Sequence, residues 1–197
     1  DLDGRTDVFI SNGTRKEINN KDYFKWLKQT DTKLKVKFQE LNFVDLTNEL
    51  PEVPTDNFIF RNTGDQFEKA NDFWNLHFEG FSNGATYADL DNDGDLELIL
   101  NNIDSTATIF ENLASEQKNY LAVQLAGPSS NPLGLGAKLI LRTGNQQIYH
   151  EHTLVRGYQS SVDPRIHFGL NDQVRVDYLE IEWPDGKREI RENLAVN

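Results

Sequence analysis

The sequence contains no cysteine in its 197 residues, which excludes disulfides, thiolate nucleophiles and cysteine-ligated zinc or iron–sulfur centres. It has no run of about eighteen apolar residues and no signal-like N-terminal stretch, so no segment reads as membrane-spanning or targeting. Positive charge is scarce as well: 20 Lys and Arg stand against 32 Asp and Glu, a formal net charge of −12. Long-range repulsion therefore disfavours nucleic acid and anionic membrane surfaces as partners, and favours cations or basic surfaces. Hydrophobic residues make up 37% and aromatics 11%, enough for a folded core, and the length allows one or two domains.

Short β-rich runs dominate what is present. Residues 57–70, "NFIFRNTGDQFEKA", read as two strands around the turn Asn62-Thr63-Gly64-Asp65. Residues 84–102 carry an apolar run on each side of an acidic loop, and 106–113, "TATIFENL", supply another strand. Beyond a polar link at Ala114–Lys118, six β-rich runs separated by Gly, Pro, Asn and Asp predict a small β-sandwich-like module over 118–197. The stretch near 14–50 differs. Tyr23, Phe24, Trp26 and Leu27 lie near helical spacing behind Asn20 as N-cap, and 31–50 is rich in helix formers up to Pro51 and Pro54. The expectation is a mainly β chain in which a helical insertion interrupts the region 1–117.

The acidic loop is "DLDNDGDLE", residues 89–97. Counted from Asp89, carboxylates fall at positions 1, 3, 5 and 9 (Asp89, Asp91, Asp93, Glu97), with Gly94 at 6 and the Asp95 carbonyl at 7. Oxygen ligands of an EF-hand-type loop have that spacing, and the glycine permits the sharp turn. Clustered carboxylates supply the six to eight oxygens that Ca²⁺ takes and lose their mutual repulsion by doing so, whereas Mg²⁺ demands tighter octahedral geometry. The bidentate Glu of an EF-hand is missing, since position 12 is Leu100, and the flanks read as strands. The bland alternative is a solvated Asp- and Gly-rich turn.

An ungapped repeat accompanies the loop: "DLDGRTDVFISNG" at 1–13 aligns with "DNDGDLELILNNI" at 91–103. Asp1, Asp3, Gly4 and Asn12 match Asp91, Asp93, Gly94 and Asn102, and Asp7 faces Glu97. Asp1, Asp3 and Asp7 thus form a second, shortened candidate metal set. The 90-residue offset exceeds the roughly 40–50 residues of a propeller repeat, and the insertion makes up the difference.

With "FIFRNTGDQFEKA" before it, the segment "FSNGATYADLDNDGDLELILNN" resembles the FG-GAP/VCBS repeat of integrin-α-like β-propellers. The runs "GLGAKLIL", "GYQSS", "IHFGL" and "VDYLEIEWPDGKRE" resemble the ASPIC/UnbV domain that follows such repeats in cartilage-acidic-protein-like proteins. The resemblance implies Ca²⁺ held by Asp89, Asp91, Asp93, the Asp95 carbonyl and Glu97, where the family usually has Asp. It also implies a propeller-containing, secreted or cell-surface parent (on the bacterial outer surface) of which this chain is a C-terminal part, because a propeller closes only with four to eight blades.

No other motif carries chemistry on its own. His150 and His152 share one strand face without a third ligand at suitable spacing, His77 and His167 stand alone, and "GLGAK" lacks phosphate-loop spacing. No nucleophile elbow is present. Trp183, Tyr158 and Tyr178 could stack on a sugar or fill a core. The expected function is a calcium-binding, non-catalytic extracellular binding or adhesion module with a protein or polysaccharide partner. The alternatives are a carbohydrate-active hydrolase, whose paired acids would meet only in the fold, and an architectural scaffold.

Overall fold

The computed structural model describes residues 1–17, 21, 22, 25 and 50–197. The helical expectation for 20–29 and 31–50 falls almost wholly outside these residues. At the insertion's two ends the chain is extended and paired: Lys16 bridges Glu52 antiparallel, and the Glu17 N–H donates to the Pro51 carbonyl at 3.0 Å. Residues 16 and 17 are thus held side by side with residues 51 and 52.

The first region holds strands β1 (Val8–Ile10), β2 (Thr55–Asp56), β3 (Phe58–Asn62), β4 (Phe67–Lys69), β5 (Glu79–Gly80), β6 (Ser82–Ala88), β7 (Glu97–Asn102) and β8 (Thr108–Phe110). Two three-stranded antiparallel sheets result, ordered β1-β3-β4 and β6-β7-β8, with β2 and β5 forming a small pair. The strands on either side of the acidic loop and the hairpin around Asn62–Asp65 lie where the alternation of apolar residues places them.

The repeat extends from sequence into register. Val8, Phe9 and Ile10 pair with Phe60, Ile59 and Phe58; Leu98, Ile99 and Leu100 pair with Phe110, Ile109 and Thr108. A shift of 90 on β1 and of 50 on β3 superimposes one pairing on the other. The connection between the paired strands spans 48 positions in the first unit, from Ile10 to Phe58, and 8 in the second, from Leu100 to Thr108. The insertion thus sits inside what is a tight turn in the second unit. A buried polar chain joins the units: Asn57 Nδ2 donates to Ser82 Oγ at 2.9 Å, Ser82 Oγ donates to Asn102 Oδ1 at 2.7 Å, and the Ser82 N–H reaches the Asn12 carbonyl at 2.9 Å.

All six strands expected after the link at 114–118 are present: β9 (Asn119–Val123), β10 (Lys138–Thr143), β11 (Gln146–Glu151), β12 (Ile166–Asn171), β13 (Arg175–Glu182) and β14 (Arg188–Ala195). They form a four-stranded antiparallel sheet, β11-β10-β13-β14, and a two-stranded β12-β9 ribbon. One apolar cluster lies between these layers, with Leu139 and Leu141 of β10, Leu170 of β12 and Val176 of β13 fully buried. Burying each such side chain stabilises by about 1.5–3 kcal/mol. Along β12 the alternation is strict: Ile166, Phe168 and Leu170 are buried in this core, while His167, Gly169 and Asn171 point to the other face. The described strands form five separate sheets.

Candidate metal centre

The loop 89–97 connects β6 to β7, and its backbone is shaped by short side-chain bonds. Asp91 Oδ1 accepts the Asp93 N–H at 3.3 Å, and Asp93 Oδ1 accepts the Asp95 N–H at 3.1 Å. Asn92 (φ 63°) and Gly94 (φ 98°) take left-handed conformations that fold the carboxylates inward. Glycine at 94 is required twice over, because a Cβ there would lie 1.9 Å from the Tyr120 ring.

Burial then sorts the acids. Asp89, Asp95 and Glu97 are 6%, 0% and 4% exposed, an expensive location for carboxylates. Each keeps one oxygen engaged. Glu97 Oε2 accepts the Leu90 N–H at 2.7 Å, Asp95 Oδ2 accepts the Ser115 N–H at 2.8 Å, and Asp89 Oδ2 lies 3.6 Å from the Arg165 guanidinium. The other oxygen of each, Asp89 Oδ1, Asp95 Oδ1 and Glu97 Oε1, is buried and receives no hydrogen bond from the protein. Among the described residues, two groups of three acids bring one oxygen each within 4.8 Å of one another: Asp89, Asp91 and Glu97, and Asp93, Asp95 and Glu97. They share Glu97. Burial and the nearby Asp91 and Asp95 charges push the Glu97 carboxyl above its ordinary value, although the Leu90 N–H opposes this. Asp93 is held below its ordinary value, chiefly by the Ser115 hydroxyl, which donates to its Oδ2 at 2.6 Å.

Such half-bonded, converging oxygens fit a hard divalent cation. Protein N–H donors fix the Asp95 and Glu97 carboxylates and leave one buried oxygen of each unbonded, as oxygen-ligand cation sites require. All five residues expected from the spacing lie in this cluster, and Asp95 contributes a carboxylate as well as the expected carbonyl position.

The N-terminal loop shares the backbone but differs in its charge environment. Asp1 Oδ1 accepts the Asp3 N–H at 3.2 Å and Asp3 Oδ1 accepts the Arg5 N–H at 2.9 Å, with Leu2 (φ 54°) and Gly4 (φ 81°) where the second loop has Asn92 and Gly94. Arg61 Nε bonds Asp1 Oδ2 at 2.8 Å, and its guanidinium lies 4.0 Å from Asp3 Oδ2. Asp7 Oδ1 accepts the Asn62 N–H at 2.9 Å, and burial pushes its carboxyl upward. By the 50-residue shift, the position of Arg61 in the second unit is Glu111, which brings no positive charge.

Arg165, just before β12, and the outward row of that strand cross both loops. Arg165 donates to the Asp89 carbonyl and to Asn92 Oδ1, both at 2.9 Å, and the His167 Nδ1–H donates to the Gly94 carbonyl at 3.3 Å. Further along, Gly169 admits the Leu2 backbone, since a Cβ there would come within 2.5 Å of it, and the Asn171 N–H donates to the Leu2 carbonyl at 2.8 Å. The C-terminal module thus rests on the two acidic loops through residues 165, 167, 169 and 171. Sequence reading missed Ser115, Arg165 and Asn112, which lie 16 to 76 residues from the loop groups they bind and form no motif with them.

The remaining candidates sit elsewhere. The rings of His150 and His152 are 6.1 Å apart at the edge of the module's core, and burial lowers the His150 pKa to about 4, so that imidazole is neutral at physiological pH. His77 Nδ1 pairs with Asp56 at 2.9 Å. Trp183 packs partly against the module's core, Tyr178 bonds Glu180 through its hydroxyl at 2.9 Å, and Tyr158 is 62% exposed. Neither of the two best-formed hollows, one beside Gly84 and Ser160 and one beside Gly144 and Asp177, brings two carboxylates together.

Residues 127–197 match the family model described as ASPIC and UnbV. The match starts after β9, although β9 is paired with β12 inside it. The chain is 31% identical to "Cartilage acidic protein 1" of Homo sapiens over 127 residues, covering 61% of this chain and 18% of the relative. It is also 31% identical to "Cartilage acidic protein 1" of Xenopus tropicalis over 116 residues, covering 55% of this chain and 17% of the relative. The chain therefore spans less than a fifth of the length of these curated relatives, and the C-terminal module is similar to the ASPIC and UnbV domain.

Proposed function

We propose that the chain is a calcium-binding, non-catalytic module of an extracellular or cell-surface protein, in which the ion locks the loop 89–97. The observation that carries this reading is the set of three buried carboxylates, each with one unbonded oxygen, inside an acid cluster in which two groups of three bring their oxygens within 4.8 Å of one another and share Glu97. Without a cation that arrangement is costly, since buried charges persist only when paired or ligating. Asp89, Asp91, Asp93, Asp95 and Glu97 would hold the ion, and calcium's tolerance of six to eight oxygens suits a carboxylate-rich loop better than magnesium's rigid octahedron. Asp1, Asp3 and Asp7 would serve the first loop only if Arg61 moved aside.

The two units of equal register support the repeat of a larger β-propeller, with the insertion between its paired strands. The extracellular placement is supported by the similarity to cartilage acidic proteins. A binding or adhesion role toward protein or polysaccharide is the reading that needs no paired acids in a cleft. Thermal melting tests the metal assignment. Millimolar Ca²⁺ added to chelator-treated protein should raise the melting temperature, and Asp91→Ala should abolish the rise. An unchanged melting temperature in the parent chain would refute it.

A further inference from the structure

We infer that ion binding in the loop 89–97 and docking of the C-terminal module are one coupled equilibrium, transmitted through Ser115 and the Gly94–Tyr120 contact. The inference rests on the metal reading above and concerns what the ion controls. Ser115 lies in the link between the repeat region and the C-terminal module, and it holds two candidate ligands at once: its N–H on Asp95 Oδ2 at 2.8 Å and its hydroxyl on Asp93 Oδ2 at 2.6 Å. An ion drawing on the free Asp95 Oδ1 would therefore pull on a carboxylate whose other oxygen is tied to the link.

The loop's far side is engaged by the module itself. Tyr120 of β9 closes over Gly94, His167 of β12 bonds the Gly94 carbonyl, and Arg165 bonds the Asp89 carbonyl and Asn92. Six loop positions, from Asp89 to Asp95, are thus touched either by the ion's ligand set or by the module, and no flexible segment separates the two. A loop that must adopt left-handed turns at Asn92 and Gly94 to present its oxygens is the same loop that must adopt them to admit the Tyr120 ring. Whatever stabilises that conformation on one side favours the other, and linkage makes the effect reciprocal.

Hydrogen exchange on the whole chain, with and without Ca²⁺, tests this, together with calorimetric Ca²⁺ titration of the parent, Ser115→Ala and Tyr120→Ala. Neither substitution changes the charge or removes a proposed ligand. The expected result is slower exchange, by about tenfold, in β9 and in 165–169 as well as in the loop, with Ca²⁺ affinity lowered about tenfold in both variants. The turn joining β13 to β14, whose backbone bonds run between Trp183, Gly186 and Lys187 and not to the loop or Tyr120, should exchange equally in both states. If Ca²⁺ binds the parent but slows exchange only within 89–102, or if both variants bind it as the parent does, the coupling is refuted and the metal site stands. If the parent does not bind Ca²⁺, the metal reading falls and the coupling with it.

Discussion

Asn62 and Asn112, fifty residues apart, make the same bond: each side-chain amide donates at 3.3 Å to the carbonyl of the residue before the last acid of a loop, Thr6 in one unit and Leu96 in the other. Each also accepts with Oδ1 from the N–H two residues on, Gly64 at 2.9 Å and Ala114 at 3.2 Å. The loops are thus clamped in both units, from the end of β3 in the first and from just beyond β8 in the second. Asn112→Ala should cost about 1 kcal/mol of stability, and Asn62→Ala a similar amount, measurable by urea denaturation. In Asn112→Ala the Ca²⁺-induced rise in melting temperature should also shrink.

Ser82 stands between the units, fully buried, accepting from Asn57 and donating to Asn102. Ser82→Ala would strand both amide groups away from water. The expected loss is about 2–3 kcal/mol, larger than a surface serine would give, and equilibrium unfolding measures it.

Gly94→Ala should destabilise more than Gly186→Ala. Both glycines have positive φ, 98° and 84°, but an added Cβ meets the Tyr120 ring at the first and nothing within 4 Å at the second. Backbone strain alone costs on the order of 1 kcal/mol, so that amount is expected at Gly186 and at least twice it at Gly94. Adding Tyr120→Ala to Gly94→Ala should recover the steric part. Equal losses at both glycines would mean that the ring does not press on the loop.

Glu97 gives the ion-free protein a pH signature. Its carboxyl, raised by burial, contributes stability that is fully present below the ordinary value of 4.5 and is lost as pH rises through its elevated folded-state value. In chelator at pH 7, Glu97→Gln should therefore melt higher than the parent, with the gap closing as the pH falls toward 4. In Ca²⁺ the order should reverse, because the amide is a poorer ligand. Melting curves in both conditions check the two signs.

Much of this was legible in the sequence, for identifiable reasons. Strand alternation, as in Ile166, Phe168 and Leu170, marks one face for the core, and the spacing from Asp89 to Glu97 encodes its own loop because ligand and turn residues are neighbours in the chain. What stayed hidden depends on contacts between distant residues. Nothing in the polar positions 165, 167, 169 and 171 says that they face the two loops, and a serine in a polar link carries no sign that it bonds Asp93 and Asp95. Arg61 is equally silent: "FRN" and "FEN" look alike until the first places a guanidinium on Asp1. The helical reading of the insertion lies outside the described residues, but its ends, paired through Lys16 and Glu52, were not foreseen.

The most direct measurement is a crystal structure of the chain grown with Ca²⁺, with anomalous scattering to place the ion. The account expects one ion bound by Glu97 together with Asp89, Asp91, Asp93 and Asp95, with oxygens at about 2.3–2.6 Å. Density showing only water among those oxygens, or an ion seated away from Asp95 and Glu97, would contradict it.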